Sequence, residues 1–477
     1  MGQEIETSHF SDADFAAFGE RLRAETALLR EWFRDAAFSS RGDVGGFELE
    51  AWLVDARGRP APINAAFLAG LDDPLVVAEL ARFNIELNAE PAPLRGGALG
   101  TLLARLEATY ARCQRTAADL GASVLSIGIL PTLEERHLTP DSMSDLRRYR
   151  ALNEQVLRQR DGRPLRLDIH GREHLRTEHR DVMLEAATTS FQIHLKVVPE
   201  RAARYYNLAQ ILSAPMVAVS ANSPFLFGRD LWDETRIPLF EQAVEVGGYA
   251  AAAQGPLRRV SFGSGCVHES LFECFQENLD HFPVLLPMAS REPAGTLPHL
   301  RLHNGTVWRW NRPLIGFDTD GTPHLRIEHR VVPAGPTPAD AIANAALFFG
   351  LMQFLGTGEV PPSLLLPFTA ARDNFYAAAR DGLDAHIEWT DGRRGAVRAL
   401  LLDELLPMAR RGLERLELDA ADIERFLGII RGRVSNMCNG AAWQRAYVAR
   451  HGRDWEGLTL AYQARAATGV PVHEWTL

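Results

Sequence analysis

Apolar and polar residues follow two periods along this chain, one typical of helices and one typical of strands. Apolar residues recur every three or four positions from about residue 12 to 37 and from about 98 to 120, which predicts two long helices. Ser11 and Asp14 give the first helix a capping box, and Gly121 directly follows the second helix.

The middle of the chain is less regular. The apolar run 123–130 predicts a buried strand that stops at Pro131. The polar, arginine-rich stretch 134–180 shows little periodicity, and a long loop, a lid, and helices packed across a sheet all remain open for it. From about residue 202 a helical pattern runs into a turn near residue 222.

Thr337, Pro338 and Asp340 supply the cap, the first-turn proline and the first-turn acid of a further helix, and the chain beyond them is mostly helical in pattern. Predicted strands are spread from residue 46 to about 331, without an internal repeat or a Gly/Ser linker. The predicted organisation is one α+β domain over residues 1–477, with a core at about 40–360 and a helical part at about 361–477.

Composition places the chain among ordinary soluble globular proteins, with 46% hydrophobic and 23% charged residues. The 51 basic and 61 acidic residues give a formal net charge of -10, which argues against a nucleic-acid or anionic-membrane partner. The four cysteines form no CxxC pair and no zinc spacing, so neither a redox motif nor structural zinc is supported.

Targeting signals are not evident in the sequence. The first ten residues lack the basic and apolar regions of a signal peptide, and Glu6 breaks the myristoylation pattern. No uncharged apolar run approaches the ~20 residues of a membrane span. A cytoplasmic location is therefore expected. A homo-oligomer is compatible with the sequence, which leaves the oligomeric state open.

Four predicted strands each combine an apolar face with a polar face, because residues two apart on a strand share a face. The polar faces carry Glu48 and Glu50; Asn84, Glu86 and Asn88; Gln192, His194 and Lys196; and Arg326, Glu328 and Arg330. Antiparallel strands often expose one face to water. A face that is only solvated favours Thr, Ser and mixed charges, however, whereas the first three strands supply mainly glutamate and histidine.

Adjacent carboxylates such as Glu48 and Glu50 repel each other, by ~4 kcal/mol for a close pair at an intermediate dielectric. A neighbouring arginine or a divalent cation would relieve that repulsion. Several glutamates with one histidine suit Mg²⁺ or Mn²⁺, whereas zinc would favour more His or Cys. The interleaved Arg and Lys side chains indicate an anion, such as phosphate, on the same surface.

The common nucleotide and nucleophile motifs are absent from the sequence. There is no GxxxxGK[ST] loop and no GxSxG elbow. Gly263-Ser264-Gly265 comes nearest to a dinucleotide fingerprint but lacks the third glycine and the following helix. A metal-bound phosphate on a sheet face is therefore the best-supported chemistry.

Taken together, the strands resemble the glutamate–cysteine ligase family of the bacterial carboxylate–amine ligase type. The matching segments occur in the family's order between about residues 44 and 350: GFELEAWLVD, NIELNAEP, SIGILPTL, FQIHLKVV, LSAPMVAVSANSPFLFG with DETR, and LRIEHRVVPAGPTPAD. The resemblance implies a glutamine-synthetase-like fold, in which a curved antiparallel sheet has helices on its outer face and holds ATP and its metal ions on its concave face.

The resemblance also implies an ATP-dependent ligase. In that reaction ATP phosphorylates the side-chain carboxylate of glutamate, and the amine of cysteine or another acceptor then displaces phosphate. By motif position, the metal ligands would be Glu48, Glu50, Glu86, His194 and Glu328. Arg330 would stabilise the transferring phosphoryl group and Arg236 would bind a substrate carboxylate, with Lys196 and Arg326 as further phosphate-binding candidates. An acyl phosphate must be kept from water, and the stretch 134–180 is a candidate cover.

One part of the sequence departs from the family pattern, and two others allow two interpretations. Val331, Val332 and Pro333 stand where the family usually has a nearby acidic residue. The segment 433–447 is either an acceptor-binding feature or a helix pair with a glycine break. Trp308, Trp310 and Arg312 are compatible both with a pocket lining and with packing at a strand edge.

Two other functions stay open at the level of sequence. A phosphotransferase on the same fold would make a stable phosphorylated product without ligation. A non-catalytic protein would bind Mg-nucleotide without turnover. Neither the amine acceptor nor the residues that hold adenine can be read from the sequence.

Overall fold

A computed structural model describes residues 9–246, 258–390 and 392–477 of the chain. The first eight residues, which carry most of the prediction about targeting signals, lie outside the described residues. The α-helices in chain order are α1 (Asp12–Arg34), α2 (Asn64–Leu71), α3 (Ala98–Asp119), α4 (Arg147–Gln159), α5 (Pro199–Ser220), α6 (Arg236–Ala243), α7 (Phe272–His281), α8 (Pro298–Gly305), α9 (Pro338–Gly356), α10 (Pro362–Leu365), α11 (Phe368–Asp381), α12 (Val397–Leu400), α13 (Leu406–Arg415), α14 (Ala420–Ser435), α15 (Gly440–His451) and α16 (Trp455–Ala466). The strands are β1 (Val44–Val54), β2 (Val76–Ala78), β3 (Asn84–Asn88), β4 (Ala92–Pro93), β5 (Ser123–Leu125), β6 (Leu165–His170), β7 (His174–His179), β8 (Phe191–Val197), β9 (Phe225–Leu226), β10 (Arg229–Asp230), β11 (Val260–Ser261), β12 (Trp308–Arg309), β13 (Asn311–Phe317), β14 (Pro323–His329), β15 (His386–Glu388) and β16 (Arg394–Ala396).

One antiparallel sheet organises the protein. Its strands are hydrogen bonded in the order β13-β14-β8-β1-β3-β2, and β4 and β5 also pair with β1. The sheet is curled into a half-barrel. Helix α5 packs against β8, β13 and β14, and α9 packs against β8. These features confirm the predicted α+β class, with a curved antiparallel sheet and helices on its outer face.

The alternation in sequence explains why these strands pack as they do. Phe47, Phe191 and Ile193 belong to the apolar face and are buried, and the rings of Phe47 and Phe191 lie 5.0 Å apart across β1 and β8. Complete burial of a side chain of this size contributes about 1.5–3 kcal/mol. The opposite face is thereby left to the charged residues.

The predicted helices and strands agree with the structure except at their ends. The capping box of Ser11 and Asp14 is present, but α1 ends at Arg34 rather than near residue 37. The predicted strand 123–130 is wrong beyond Leu125, because β5 pairs only with the last three residues of β1. The carbonyl of Ile127 accepts hydrogen bonds from the side chains of Trp52 and Thr189 instead.

The arginine-rich stretch 134–180 is not a single long loop. It forms α4, which buries Tyr149, Leu152 and Val156, and then the separate two-stranded hairpin of β6 and β7. Helix α4 also carries Arg148, which lines a cavity over the polar face of the sheet. Part of this stretch therefore lies beside the polar face.

The chain after α9 is mostly helical, as predicted, with one small hairpin of β15 and β16. Helices α13 and α14 pack against α9, and Arg433 of α14 forms a buried ion pair of 2.8 Å with Asp340 of α9. Asn439 caps α15 by accepting a hydrogen bond from the backbone of Ala442, and Gly440 lies so close to Asn222 that a side chain would clash. Helix packing thus accounts for these residues of the segment 433–447.

Among the helices that the structure describes, α9 alone is long and apolar enough to cross a membrane. Most of it is buried, against α5, α13 and α14 in particular. Its apolar character is therefore explained by its place in the protein core.

Candidate active site

The strand register brings the polar residues of the four predicted strands together. Glu50 lies opposite Glu86 on β3. Glu48 lies between Asn88 of β3 and Gln192 of β8, and His194 lies opposite Glu328 of β14. Opposite residues on an antiparallel pair have Cβ atoms ~4.5–5.5 Å apart, so these side chains share one surface.

Glu48, His194 and Glu328 form a compact cluster on that surface. The Nε2 atom of His194 lies 3.4 Å from Oε1 of Glu48 and 3.7 Å from Oε1 of Glu328. One ligand atom from each residue falls within 4.8 Å of the other two. The side chain of Glu48 is 27% exposed whereas that of Glu328 is 2% exposed, so a ligand reaches the cluster from the Glu48 side.

The donor set of this cluster fits a divalent cation. Nε2 of His194 is buried and has no hydrogen-bond partner among the described atoms, although two carboxylates flank it. Burial lowers the pKa of His194 despite the nearby charge of Glu48, so the neutral imidazole offers a lone pair. Carboxylate oxygens with one imidazole nitrogen suit Mg²⁺ or Mn²⁺.

Two arginines also hold Glu328. Arg312 of β13 makes a bidentate pair with it through Nε and Nη2, at 2.8 and 3.0 Å. Nη1 of Arg330 donates a third hydrogen bond to Glu328, at 2.9 Å, and also donates to Gln192. Burial alone would raise the pKa of Glu328, but the charges of Arg312 and Arg330 outweigh it and hold the pKa well below its usual value. Glu328 is therefore ionised.

A small pocket of about 40 Å³ lies beside the cluster, and we call it the enclosed pocket to distinguish it from a larger cavity described below. The charged and aromatic side chains that line it are Glu50, Glu79, Glu185, Arg236, Trp310 and Arg330. Backbone N–H of Ser190 and the amide of Gln192 donate to Glu50, at 2.6 and 2.9 Å. Oε2 of Glu185 is buried without a hydrogen-bond partner among the described atoms.

The carboxylates around the enclosed pocket are hard to ionise together. Burial and then the charge of Glu86 raise the pKa of Glu50 to about 7, and burial and the charge of Glu50 raise that of Glu79 to about 7. Burial raises the pKa of Glu185 to about 7. Burial and then the charges of Glu48 and Glu79 raise the pKa of Glu86 well above its usual value. A bound cation would favour the ionised forms of all four.

Arg236 is a buried residue that lines the enclosed pocket. Its Nε donates to buried Glu234 at 3.0 Å, and its Nη2 donates to the carbonyl oxygens of Arg330 and Val331 at 3.2 and 2.7 Å. Its guanidinium also lies over the ring of Trp310, 5.2 Å from the ring centre. Arg236 thus fixes the backbone that carries Arg330 while lining the enclosed pocket.

An open cavity of about 350 Å³ covers the other side of the cluster. Its charged lining consists of four arginines and three glutamates, namely Arg148, Arg301, Arg312 and Arg326 with Glu48, Glu292 and Glu328. Nε of Arg326 is buried and has no hydrogen-bond partner among the described atoms. The cavity is suited to a ligand with several negative charges.

The sequence from residue 44 to 464 matches the model of Glutamate-cysteine ligase family 2. That match covers most of the 477 residues. The chain belongs to glutamate–cysteine ligase family 2. It is an ATP-dependent ligase that forms carbon–nitrogen bonds.

Solved structures of two ligases share the fold at low sequence identity. Glutamate–cysteine ligase of Francisella tularensis in complex with AMP has a TM-score of 0.52 at 10% identity, covering 92% of this chain and 90% of that chain. A bifunctional glutathione synthetase from Pasteurella multocida has a TM-score of 0.50 at 12% identity, covering 92% of this chain and 55% of that chain. The chain has no match among curated protein sequences.

Most of the site residues predicted for the ligase come together, but Lys196 does not join them. Its Nζ is paired with Asp318 at 2.6 Å, and it is not among the residues that line either cavity. Its role in phosphate binding stays a prediction without support from its contacts. Trp310 lines the enclosed pocket and Arg312 the open cavity, whereas Trp308 is buried against Phe240.

Four charged residues of the ligase site have no strong signal in the sequence. Glu79 lies just after the short strand β2, and Glu185 lies in a short 3-10 helix, Met183–Ala187, before β8. Arg148 comes from the aperiodic stretch 134–180, and the sequence around Arg312 is compatible both with a pocket lining and with packing at a strand edge. In the sequence, each of these is a charged residue next to an apolar segment. That pattern is too common to identify a site residue.

Proposed function

We propose that this ligase activates the γ-carboxylate of glutamate as an acyl phosphate and joins it to the amine of cysteine or a similar amino compound. The position of Arg330 carries the proposal. Arg330 lines the enclosed pocket, and it donates a hydrogen bond to Glu328 of the open cavity. In this proposal the phosphoryl group is transferred next to this guanidinium.

In the proposed arrangement the open cavity holds the ATP phosphates and the enclosed pocket holds the acid. Arg312 and Arg326 line the open cavity and would neutralise the nucleotide's charge. Arg236, with its charge facing the enclosed pocket, would hold a carboxylate of the acid. The enclosed pocket, at about 40 Å³, is small for an amino acid, so the proposal requires the pocket to widen when the acid binds.

Divalent cations fit this scheme at Glu48, His194 and Glu328 and at the neighbouring Glu50 and Glu86. When bound, Mg²⁺ or Mn²⁺ would neutralise the charge that develops on the transferring phosphoryl group. The carboxylates of Glu50, Glu79 and Glu185, which line the enclosed pocket, and of neighbouring Glu86 support this assignment, because raised pKa values and mutual repulsion favour an opposing charge there.

The proposed reaction has two displacements. A carboxylate oxygen of the acid attacks the γ-phosphorus of ATP, and ADP leaves. The amine nitrogen then attacks the acyl carbon, phosphate leaves with that oxygen, and the nitrogen loses a proton. Arg330 would stay next to the phosphoryl group throughout, since Gln192 and Glu328 both hold its Nη1. Helix α4, through Arg148, forms part of the cover that keeps water from the acyl phosphate.

The test is to incubate the protein with Mg²⁺, ATP, glutamate and a panel of amines that includes cysteine, and to follow phosphate release and product masses together. The proposal expects an amide product whose mass equals glutamate plus amine minus water, with one phosphate released per product. Glu328→Gln protein serves as the inactive control.

Omitting one component at a time separates the alternatives. A phosphotransferase would release ADP without amine and yield a stable phosphorylated acid, and that result would overturn the ligation proposal. An amide formed with another acid, such as aspartate, in place of glutamate would preserve the ligase chemistry but correct the substrate.

A further inference from the structure

A second group of metal-ligand residues lies on the hairpin of β6 and β7, away from the polar face of the sheet. Asp168 and His170 project from the same face of β6, two residues apart. His174 of β7 lies directly opposite His170 in the register. All three side chains are exposed.

The ligand atoms of these residues converge. Nε2 of His170 lies 3.2 Å from Oδ1 of Asp168, and Nε2 of His174 lies 2.8 Å from the same oxygen. The two imidazole rings are stacked, with ring centres 3.9 Å apart. Within residues 9–246, 258–390 and 392–477, only this group and the Glu48, His194 and Glu328 cluster bring three such ligand atoms within 4.8 Å.

The spacing is close to that of a transition-metal site. A tetrahedral zinc ion with bonds of ~2.0–2.1 Å holds its ligand atoms ~3.3 Å apart. The 3.2 Å distance from His170 to Asp168 already has that value, and the 2.8 Å distance from His174 requires only a small opening. Two imidazoles and one carboxylate leave a fourth position open for water.

The backbone that carries these side chains is firmly anchored. The indole N–H of Trp232 donates to the carbonyl of His170 at 2.7 Å, and backbone N–H of Asp168 donates to Gln242 at 2.7 Å. In the turn, backbone N–H of Glu173 donates to the carbonyl of Asp230 at 2.7 Å. Such anchoring lowers the entropy lost when a metal binds, because the strand positions are already set.

The donor set differs from that of the ligase site. Two histidines with one carboxylate favour borderline metals such as Zn²⁺ over Mg²⁺, which prefers oxygen ligands. Of the charged neighbours on this face, Arg166 is paired with Glu178 at 2.9 Å, and Arg176 lies opposite Asp168. The positive charge of Arg176 opposes a cation, so the affinity must come from the three ligands.

We propose that Asp168, His170 and His174 form a surface site for a Zn²⁺-class transition metal, separate from the divalent-cation site of the ligase. Binding replaces the hydrogen bond that now joins His174 to Asp168 and the ion-pair contact of His170 with the same carboxylate. It stabilises the hairpin, because the metal cross-links β6 to β7 and is bound by the folded protein only.

The experiment uses the full-length protein, stripped of metal and kept in excess Mg²⁺. Zn²⁺ is titrated against a chromophoric chelator, and the melting temperature is measured with and without one equivalent of Zn²⁺. The variants are His170→Ala, His174→Ala, Asp168→Asn and the double variant His170→Ala with His174→Ala. The matched control is His386→Ala, since His386 is an exposed histidine on another two-stranded hairpin, β15 with β16.

Wild-type protein and the His386→Ala control are expected to bind one more equivalent of Zn²⁺ than the double variant, and Zn²⁺ should raise their melting temperatures more. Each single variant should bind that equivalent at least about tenfold more weakly. If the double variant binds Zn²⁺ with the wild-type stoichiometry and within threefold of the wild-type affinity, the site does not exist. Circular dichroism and ATP turnover confirm that the variants are folded, because none of these residues contacts the ligase cavities.

Discussion

Arg330 donates a hydrogen bond of 2.9 Å to Glu328, the residue two positions before it in the chain. Both side chains are buried, at 12% and 2% exposure, and Glu328 is at the same time held by Arg312. The pair places a guanidinium between the two cavities without leaving a charge unpaired. It also means that Arg330 can be altered while Glu328 keeps a partner.

Replacement of Arg330 by lysine should lower kcat by about 10²- to 10³-fold. A lysine keeps the charge but cannot reach both Gln192 and Glu328 in a fixed plane. The Michaelis constant for ATP should change much less, because Arg312 and Arg326 still line the open cavity. Steady-state kinetics on Arg330→Lys and on the exposed control Arg34→Lys test this, and a kcat within twofold of wild type would show that Arg330 is only structural.

Replacement of Glu48 by glutamine should raise the Mg²⁺ concentration needed for half-maximal activity at least about tenfold. Glutamine keeps the shape of the side chain but removes the charge that faces His194. The measurement is initial rate against Mg²⁺ concentration at saturating ATP. Glu90→Gln is the matched control, since Glu90 is exposed and 3.5 Å from Arg105. An unchanged Mg²⁺ requirement in Glu48→Gln would contradict the assignment of Glu48 as a cation ligand.

Replacement of Arg236 by lysine should raise the Michaelis constant for the acid at least about tenfold and leave that for ATP within about twofold. The lysine loses the paired hydrogen bonds to the carbonyls of residues 330 and 331, so the melting temperature should also fall. Kinetics with each substrate varied in turn separate the two effects. Equal increases for acid and ATP would indicate a general distortion instead of loss of a carboxylate contact.

Replacement of Asp340 by asparagine should lower the free energy of unfolding by about 3–5 kcal/mol, because Arg433 is left buried without its charge partner. The side chains of Asp340 and Arg433 are both buried, at 0% and 1% exposure. Urea unfolding measures the loss, with exposed Asp373→Asn as control. A single transition for wild-type protein would further support the prediction that residues 361–477 fold together with the core.

The stability of the protein should fall as the pH is lowered from about 6.5 to about 4, in part because of His303. Burial lowers the pKa of His303 to about 4, from an ordinary value of 6.5. Its Nε2 lies 2.9 Å from the carbonyl oxygen of Asn278, and its Nδ1 is buried without a described partner. Protonation would therefore bury an unpaired N–H.

The direction of this pH effect on stability follows from proton binding by His303. Between these two pH values the unfolded chain binds a proton at this position and the folded chain does not, so acid favours unfolding by up to ~1.4 kcal/mol per pH unit. Above about pH 6.5 this group has no effect. His303→Gln, which can still donate to Asn278, should remove that share of the slope in urea unfolding at several pH values. The exposed control His386→Gln should keep it, and equal slopes in His303→Gln and wild-type protein would rule the effect out.

The sequence alone was sufficient to identify four strands of the central sheet, β1, β3, β8 and β14, and the residues that share a face on each of them. Glu48, Glu50, His194 and Glu328 were found because strand periodicity is a local property, set by the alternation of side chains about the backbone. The capping residues of α1 and α9 were found for the same reason, since each motif spans four consecutive residues.

Only the tertiary structure decided which charges meet. Three further charged residues reach the site from a loop, a short 3-10 helix and an α-helix, namely Glu79, Glu185 and Arg148. The positions of these elements depend on contacts far away in the chain. Lys196 shares the face of His194, yet Asp318 from the β13–β14 turn holds it in an ion pair. Register and long-range packing are properties of the whole fold, so a local pattern shows which side chains face the site but not which partner each one finds there.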